Sequence, residues 1–245
     1  MRILWPLINI LQAVYAMAWT AVWVTVALAV SLVTRSRGAG LFLARRVWGP
    51  GCLRGGFARL TVEGGERFAA AGGPFFFVAN HQSWMDVPAL FAALPLPVLF
   101  VAKQELSRVP FLGRYVAAMG MVFIDRGHRQ ESARSVGQAT DRLRRGWSVV
   151  SFPEGTRSRD GRVQRFKTAT FAAAIEAGTP VVPVALDGPG KVLPPGSFRP
   201  RPGPIRVLFG EPIPTTGLDR SQRAALAERA QAEVEALLAG MRGDR

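Results

Sequence analysis

The chain contains few of the residues on which metal sites and covalent acyl-enzymes depend. Its 245 residues include one cysteine, Cys52, and two histidines, His81 and His128. A single cysteine excludes a disulfide framework, and these three residues do not form a cluster that would hold zinc. The sequence also lacks the Gly-x-Ser-x-Gly pattern that presents a serine nucleophile on a sharp turn. Chemistry through a bound metal, or through a covalent serine or cysteine intermediate, is therefore not indicated.

Acidic residues are also scarce. There are 17 Asp and Glu residues against 31 Lys and Arg, which gives a formal charge of +14. A surface of this charge attracts phosphate, whether in nucleic acid, in anionic lipid headgroups or in a phosphorylated substrate. Apolar residues make up 49% of the chain and charged residues 20%, a balance that excludes both a disordered tail and a polytopic transporter. The length allows one core, or one core and an anchor.

No charged side chain occurs between Ile3 and Val33. About 20 apolar residues cross a bilayer, so this run is long enough for a membrane-anchoring helix, or for a helical hairpin that breaks near Pro6 or at 9–12. A cleaved signal peptide is the alternative, because Ala27-Leu28-Ala29 resembles a small-residue cleavage site. The run is about twice as long as the apolar part of a signal peptide, which favours the anchor.

The segment after the anchor is basic, with Arg35, Arg37, Arg45 and Arg46 close together. Because positive charge is enriched on the cytoplasmic side of membrane proteins, this flank predicts that the rest of the chain is cytoplasmic. Residues 41–48 fit a short interfacial helix. The predicted organisation is an anchor with its interfacial helix over 1–48, a glycine-rich linker over 49–56 and a globular domain over 57–245.

Strand and helix patterns alternate through the globular domain. We predict strands over 57–62, 74–79, 97–102, 121–124, 147–152, 180–186 and 204–209. Helices are predicted over 87–93, 129–145, 167–177 and 218–238, with helical turns over 104–118. This alternation predicts an α/β fold in which a largely parallel sheet is flanked by helices. Residues that follow the strands then share one edge of the sheet, where open α/β folds bind their ligands.

The polar segment Asn80-His81-Gln82-Ser83-Trp84-Met85-Asp86 directly follows the strand predicted over 74–79. Neutral imidazole accepts a proton from a hydroxyl near physiological pH, and a carboxylate on its second nitrogen fixes the tautomer and stabilises the imidazolium. Five residues of continuous helix turn through about 500°, so the pair meets only if His81 lies in a loop and Asp86 near the start of the next helix. We therefore take His81 as the candidate base and Asp86 as its partner. The alternative is that His81 occupies a turn and Asp86 caps the helix over 87–93.

Basic residues follow three further predicted strands. The segment Phe152-Pro153-Glu154-Gly155-Thr156-Arg157-Ser158-Arg159 combines a glycine, which allows close backbone approach, with hydroxyls and guanidiniums that bind phosphate. Lys103 and Arg126 follow the strands over 97–102 and 121–124. Each of these residues alone also fits a solvated turn or a surface charge. Their shared position predicts that Lys103, Arg126 and Arg157 converge with His81 on one anion site.

Five blocks of the sequence resemble the glycerolipid acyltransferases, and the closest resemblance is to the bacterial 1-acyl-glycerol-3-phosphate acyltransferases. The blocks occur in the family order and at family-like spacing across about residues 57–215. They are the segment 80–86, Lys103-Gln104-Glu105-Leu106, Phe123-Ile124-Asp125-Arg126, the segment 152–158, and Val181-Val182-Pro183-Val184-Ala185-Leu186-Asp187-Gly188.

The resemblance implies transfer of a fatty acyl group from acyl-CoA or acyl carrier protein to the sn-2 hydroxyl of 1-acyl-glycerol-3-phosphate, which gives phosphatidic acid. It implies that His81 is the general base and that Asp86 orients it. The residues implied to bind the glycerophosphate are Lys103, Arg126, Glu154, Gly155, Thr156 and Arg157. No bound cofactor or metal is implied, since a thioester is already activated. The implied location is the bacterial inner membrane, with the catalytic domain, residues 57–245, on the cytoplasmic side.

Two other functions compete with this one. The first keeps the chemistry and changes the acceptor to another lysolipid, such as a lyso-ornithine lipid or another lysophospholipid. The second is a basic protein without catalysis that binds membranes or nucleic acid. Nucleic-acid binding requires aromatic side chains interleaved with basic ones on an exposed surface, whereas most aromatics here fall in apolar strands or in the anchor. We therefore expect membrane lipids and an acyl donor as partners, and no nucleic acid.

Overall fold

The computed structural model describes residues 4–124 and 129–243. The α-helices are α1 (Trp5–Thr34), α2 (Arg37–Leu43), α3 (Gly49–Gly55), α4 (Glu66–Ala71), α5 (Asp86–Ala93), α6 (Leu112–Ala118), α7 (Arg129–Arg144), α8 (Phe171–Ala177), α9 (Pro189–Val192) and α10 (Arg223–Gly243). The strands are β1 (Ala58–Glu63), β2 (Phe76–Ala79), β3 (Val98–Lys103), β4 (Val122–Ile124), β5 (Ser148–Ser151), β6 (Val181–Asp187) and β7 (Gly203–Phe209). A π-helical turn (Ala44–Trp48) joins α2 to α3, and 3₁₀ turns cover Gln104–Arg108 and Arg220–Gln222.

The seven strands form one sheet in the order β1-β7-β6-β2-β5-β3-β4. Every neighbouring pair is parallel except β6 and β7, which are antiparallel. The residues of β2, β5 and β6 are all buried, as expected for central parallel strands that carry helices on both faces. The prediction of a largely parallel α/β sheet flanked by helices is confirmed. Sequence reasoning missed the short helices α4 and α9.

Strand order determines which loops meet at the carboxyl edge of the sheet. β2 lies between β5 and β6, with Val78 opposite Ser151 and Ala79 opposite Val184. β3 is on the other side of β5. The segments that follow β2, β3 and β5 are therefore neighbours, and they contain three of the five sequence blocks, while a fourth block, 181–188, is β6 with the glycine after it.

The apolar N-terminal run forms one continuous helix rather than a pair of helices broken near Pro6 or at 9–12. Pro6 lies in the first turn of α1, where its missing N–H would have no helical partner in any case. A hairpin does form, but its second arm is the helical stretch 37–55. Gln12 Nε2 donates to the Gly55 carbonyl at 3.1 Å and Tyr15 Oη donates to the Gly51 carbonyl at 3.2 Å, so this arm runs back along α1.

Residues 49–56, for which the sequence predicts a linker, belong to this packed second arm. Gly49, Gly51 and Leu53 of α3 are buried. A Cβ at position 51 would lie 2.2 Å from the Trp19 ring, so glycine here permits close helix packing and does not supply flexibility. Residues 41–48 are helical too, but they continue the same arm.

α1 is long and apolar enough to cross a membrane, as judged by its length and composition. It also lies along the rest of the protein. Asn9 near its start contacts the Pro200 carbonyl, and Ser31 near its end contacts Met119 after α6. α1 therefore contacts the globular part near both of its ends.

Candidate active site

The histidine and the aspartate of the segment 80–86 meet in the structure. His81 lies in the loop after β2, and Asp86 is the first residue of α5. His81 Nδ1 is 2.6 Å from Asp86 Oδ2, and the exposed fractions of the two side chains are 20% and 0%. A carboxylate can only accept, so a hydrogen bond here requires the proton on Nδ1, and the lone pair of Nε2 is left to accept another proton. This is the arrangement of a base and its orienting acid.

Asp86 also organises the loop that carries His81. Its Oδ2 accepts the backbone N–H groups of Gln82 at 2.7 Å and Ser83 at 2.8 Å, so one oxygen holds three donors. These bonds reach backward along the chain, whereas a helix-capping side chain accepts N–H groups that follow it. The N-cap of α5 is Met85. The side chain of Asp86 therefore shapes the His81 loop, and the start of α5 places its negative charge at the favourable end of the helix dipole.

The loop after β5 holds His81 from the other side. The imidazole stacks on the Phe152 ring with centroids 4.2 Å apart. The His81 N–H donates to Glu154 Oε1 at 2.8 Å, and the Ser158 N–H donates to the His81 carbonyl at 2.8 Å. Because β2 and β5 are adjacent, these contacts form directly between the two loops. They fix the main chain and the ring plane of His81.

Glu154, which the sequence predicts as a substrate-binding residue, lies between the His81 loop and its own loop. Its side chain is buried, and its second oxygen accepts the Gln164 N–H at 3.3 Å. Burial raises the pKa of this carboxyl to about 7, against the opposing effect of the two backbone N–H groups, and the charges of Asp86 and Asp160 raise it further. The contacts of Glu154 are those of a clamp between two loops, with both oxygens directed at the main chain.

The next three residues lie where the sequence predicts an anion site. Gly155 has φ of +78°, a backbone conformation that glycine adopts without strain. Gly155, Thr156 and Arg157 line the same cavity as His81. The Arg157 guanidinium carbon lies 4.4 Å from the centroid of the Trp84 ring, and its buried Nη1 has no hydrogen-bond partner among the residues that the structure describes.

Of the other predicted basic residues, Lys103 also lines this cavity. It lies at the end of β3, and its Nζ is 2.6 Å from Glu105 Oε1, with both side chains more than half exposed. An exposed pair of this kind is weak, so the ammonium is available to an anionic ligand. Arg126 falls within 125–128, outside the described residues.

The shared cavity has a volume of about 700 Å³ and a mostly apolar wall. From His81 it extends between α5, α6 and the N-terminal hairpin. Its lining includes Trp48, Phe91, Phe100, Val116 and Met121. The sequence did not predict this cavity, because its wall comes from segments that are far apart along the chain.

Sequence reasoning also missed the polar residues that tie the His81 loop to β6. Asn80 Nδ2 donates to the Leu186 carbonyl at 2.9 Å and the Leu186 N–H donates back to Asn80 Oδ1 at 2.8 Å. Gln82 Nε2 donates to the same carbonyl, and Ser83 Oγ donates to the Leu193 carbonyl. These residues adjoin His81 in the polar segment after a buried strand, and that position is the signal that would have marked them.

Among residues 4–124 and 129–243, no group of three or more His, Cys, Asp or Glu side chains is arranged to hold a metal ion. Cys52 is a free thiol in α3 and lines the cavity. Burial raises its pKa to about 12, which leaves little of the reactive thiolate at neutral pH.

The chain is similar to known proteins in both sequence and structure. A chloroplastic 1-acyl-sn-glycerol-3-phosphate acyltransferase from Arabidopsis thaliana is 35% identical over 158 residues, which are 64% of this chain and 44% of that relative. A lyso-ornithine lipid O-acyltransferase from Pseudomonas aeruginosa is 33% identical over 174 residues, with 64% of this chain and 66% of the relative covered. The crystal structure of the 1-acyl-sn-glycerophosphate acyltransferase from Thermotoga maritima superposes with a TM-score of 0.81 at 28% identity and covers 96% of both chains.

The sequence profile of one family, described as Acyltransferase, matches residues 59–187. This range contains the His81 loop, the segment 152–158 and all of β6, and it covers more than half of the chain. The chain therefore belongs to the Acyltransferase family.

Proposed function

We propose that this protein transfers a fatty acyl group from acyl-CoA or acyl carrier protein to the sn-2 hydroxyl of 1-acyl-glycerol-3-phosphate and so forms phosphatidic acid. The observation that carries the proposal is the His81–Asp86 pair, whose Nδ1 and Oδ2 are 2.6 Å apart, in the wall of an apolar cavity that Lys103 and Arg157 also line. The named relatives support the substrate class.

In the proposed reaction, His81 Nε2 accepts the proton of the acceptor hydroxyl as its oxygen attacks the thioester carbonyl carbon. Asp86 holds the imidazole in the tautomer that makes Nε2 the base, and its charge stabilises the imidazolium. The tetrahedral intermediate then collapses with loss of the thiolate, which takes the proton from the imidazolium. The thioester is already activated, so no bound cofactor takes part.

The two kinds of surface around His81 fit the two parts of the substrates. The apolar wall of the cavity accommodates a fatty acyl chain. The phosphate of the acceptor is held by Gly155, Thr156 and Arg157, with Lys103 and Arg126 completing the site. We assign Glu154 to the positioning of His81 and not to the ligand, because its oxygens face the main chain.

The apolar α1, together with a relative that is named for a lipid acceptor, supports membrane association. We propose that the membrane is a bacterial inner membrane and that residues 57–245 form the catalytic domain on its cytoplasmic side. The support for this orientation is the basic flank after α1, which contains Arg35, Arg37, Arg45 and Arg46. A lysolipid acceptor in the same membrane would then enter from the lipid phase.

A second candidate acceptor is a lyso-ornithine lipid. It is favoured by the lyso-ornithine lipid O-acyltransferase from Pseudomonas aeruginosa, because the match to this chain covers 66% of the length of that relative. The chemistry at His81 would be the same, and only the group that meets Arg157 and Lys103 would change.

The test is acyl transfer by membranes that carry the protein, with lysophosphatidate or a lyso-ornithine lipid as acceptor and radiolabelled acyl-CoA or acyl carrier protein as donor. We expect label in phosphatidate, and a loss of about 10²- to 10⁴-fold in His81→Ala with membrane association retained. Label only in the ornithine lipid would mean that the acceptor is the lyso-ornithine lipid and not lysophosphatidate. No transfer to either acceptor, or full activity in His81→Ala, would contradict the proposed chemistry.

A further inference from the structure

The loop between α9 and β7 carries an aromatic side chain that the globular core does not use. Phe198 is 79% exposed, at the tip of the segment Pro194-Pro195-Gly196-Ser197-Phe198-Arg199-Pro200-Arg201. A single exposed apolar residue is ordinary on a protein surface. Phe198 differs from such a residue in the contacts that its loop makes.

The loop is fastened to the start of α1. Arg201 Nη1 donates to Asn9 Oδ1 at 2.8 Å, and Asn9 Nδ2 donates to the Pro200 carbonyl at 3.2 Å. The Arg201 guanidinium carbon also lies 4.4 Å from the centroid of the Trp5 ring. Asn9 is buried and bonds to Gln12 as well, so a polar network joins the first turns of α1 to this loop.

The same turns of α1 expose an apolar stripe. Leu7, Ile10, Leu11 and Val14 are spaced at i, i+3, i+4 and i+7 and are each more than half exposed, which is the pattern of one helix face. Ile10 also lines the cleft between α1 and Phe198. A membrane that covers this stripe therefore meets Phe198, because the loop cannot move away from α1 without breaking the Asn9 and Arg201 contacts.

The charge of the cleft selects the kind of lipid. Arg199 and Arg201 lie in its wall beside Trp5 and Phe198, and residues 188–210 contain no acidic side chain. The Arg199 side chain is exposed and makes no hydrogen bond or ion pair with the residues that the structure describes. Aromatic rings and arginines together at the level of the headgroups fit an anionic phospholipid.

We propose that the cleft between the first turns of α1 and the loop 194–201 binds the headgroup of an anionic phospholipid, with Phe198 inserted among the acyl chains. This loop is then a second membrane contact, separate from the cavity at His81. The proposal rests on membrane association and not on acyl transfer. A negative acyl-transfer assay would therefore not contradict it, and a negative quenching experiment would not contradict the proposed function.

The insertion of Phe198 is tested with a fluorophore on Phe198→Cys, in a Cys52→Ser background, in vesicles of phosphatidylcholine and phosphatidylglycerol that contain spin-labelled lipid. The matched control is Ala232→Cys, an exposed position on α10. We expect the spin label to quench the fluorophore at position 198 severalfold more than the one at position 232. Equal quenching at the two positions would overturn the insertion of the loop.

The headgroup preference is tested in the same labelled protein with a trace of spin-labelled phosphatidylglycerol or phosphatidylcholine in vesicles of phosphatidylcholine. Stronger quenching by the anionic lipid is expected. Arg199→Gln should lower this preference about fivefold, as the loss of one arginine at an anionic surface requires, whereas Arg199→Lys should retain it. Arg229→Gln removes the same charge from an exposed position on α10 and should change nothing. No preference in the parent, or equal effects of the Arg199 and Arg229 changes, would overturn the headgroup assignment.

Discussion

The His81 loop and the N-terminal hairpin are built on opposite principles, although both line one cavity. In the loop, most of the buried polar groups are paired, and Oδ2 of Asp86 accepts three donors. In the hairpin, apolar groups are exposed along α1, and hydrogen bonds from Gln12 and Tyr15 to main-chain carbonyls hold its two arms together. The loop follows the rules of a protein in water, where buried polar groups need partners. The surface of α1 follows the rules of a protein in lipid.

The contrast shows how one site can serve two kinds of substrate group. Paired polar groups hold the imidazole in one tautomer and one orientation. The apolar wall makes no directional contacts of this kind and therefore fits a flexible acyl chain. Four substitutions test the polar groups around His81 and the apolar packing of the hairpin. The largest effects are expected among the polar groups.

Asp86→Asn tests whether the carboxylate does more than shape its loop. An amide oxygen in the place of Oδ2 keeps its three donors, and the amide NH₂ takes the place of Oδ1, which has no hydrogen-bond partner among the described residues. The charge that stabilises the imidazolium is lost. We expect kcat to fall about 10²- to 10⁴-fold with KM little changed, measured at saturating acceptor. A decrease in kcat of less than tenfold would mean that Asp86 only shapes the His81 loop.

Arg157→Gln tests the phosphate site. Its guanidinium lines the cavity beside His81, and a hydrogen bond to a charged group contributes about 1.5–3 kcal/mol. We expect kcat/KM for lysophosphatidate to fall about 10- to 100-fold, with a smaller loss for a lysolipid that lacks the phosphomonoester. Arg159→Gln, at an exposed position two residues away, is the control. Equal losses for the two acceptors would place the phosphate elsewhere.

Gly51→Ala tests the packing of the hairpin. An added methyl would lie 2.2 Å from the Trp19 ring, and overpacking of this kind costs about 1–3 kcal/mol. The matched control is Gly137→Ala in α7, where an added Cβ meets nothing within 4 Å and helix propensity favours alanine. We expect thermal unfolding in detergent at a lower temperature for the first variant and at an equal or higher temperature for the second. Equal unfolding temperatures would mean that α3 is not packed against α1.

Glu154→Gln has the smallest expected effect and a distinctive pH dependence. Burial raises the pKa of this carboxyl from 4.5 to about 7, so the folded chain binds the proton more tightly than the unfolded chain does. Between these values the stability of the folded state falls as pH rises, and above about 7 the penalty is constant. Glutamine cannot titrate, so we expect the unfolding temperature of the parent to fall relative to that of the variant between pH 5 and pH 7. Parallel curves for the parent and the variant would contradict this, and Glu233→Gln at an exposed position of α10 is the control for the substitution itself.

The sequence predicted most of the sheet and two of the loops that meet at its edge, for a reason that particular residues illustrate. Pro74 to Ala79 is an apolar run followed at once by polar residues, and β2 and the His81 loop lie there. Such an alternation depends only on neighbouring residues. The wall of the cavity depends on distant ones, because Trp48 and Phe91, for example, come together only when the hairpin packs on α5.

At two places the contacts of a side chain were not evident from the residue type. The glycines at 49–56 indicated a flexible linker, but at Gly51 the missing side chain makes room for Trp19. Glu154 stood beside Gly155 and Arg157 in the sequence and was grouped with them as a ligand. In the structure its side chain turns to the main chain of His81 and Gln164. Composition and adjacency do not give the direction of a side chain.

The sequence by itself determined the order of the elements, the apolar N-terminal helix and the pairing of His81 with Asp86, because each depends on residues within a few positions of one another. Only the tertiary structure decided that α1 folds back on the stretch 37–55, that Glu154 clamps two loops, and that the loop at Phe198 is tied to Asn9. These contacts join segments up to 192 positions apart, and at that distance packing determines which residues meet.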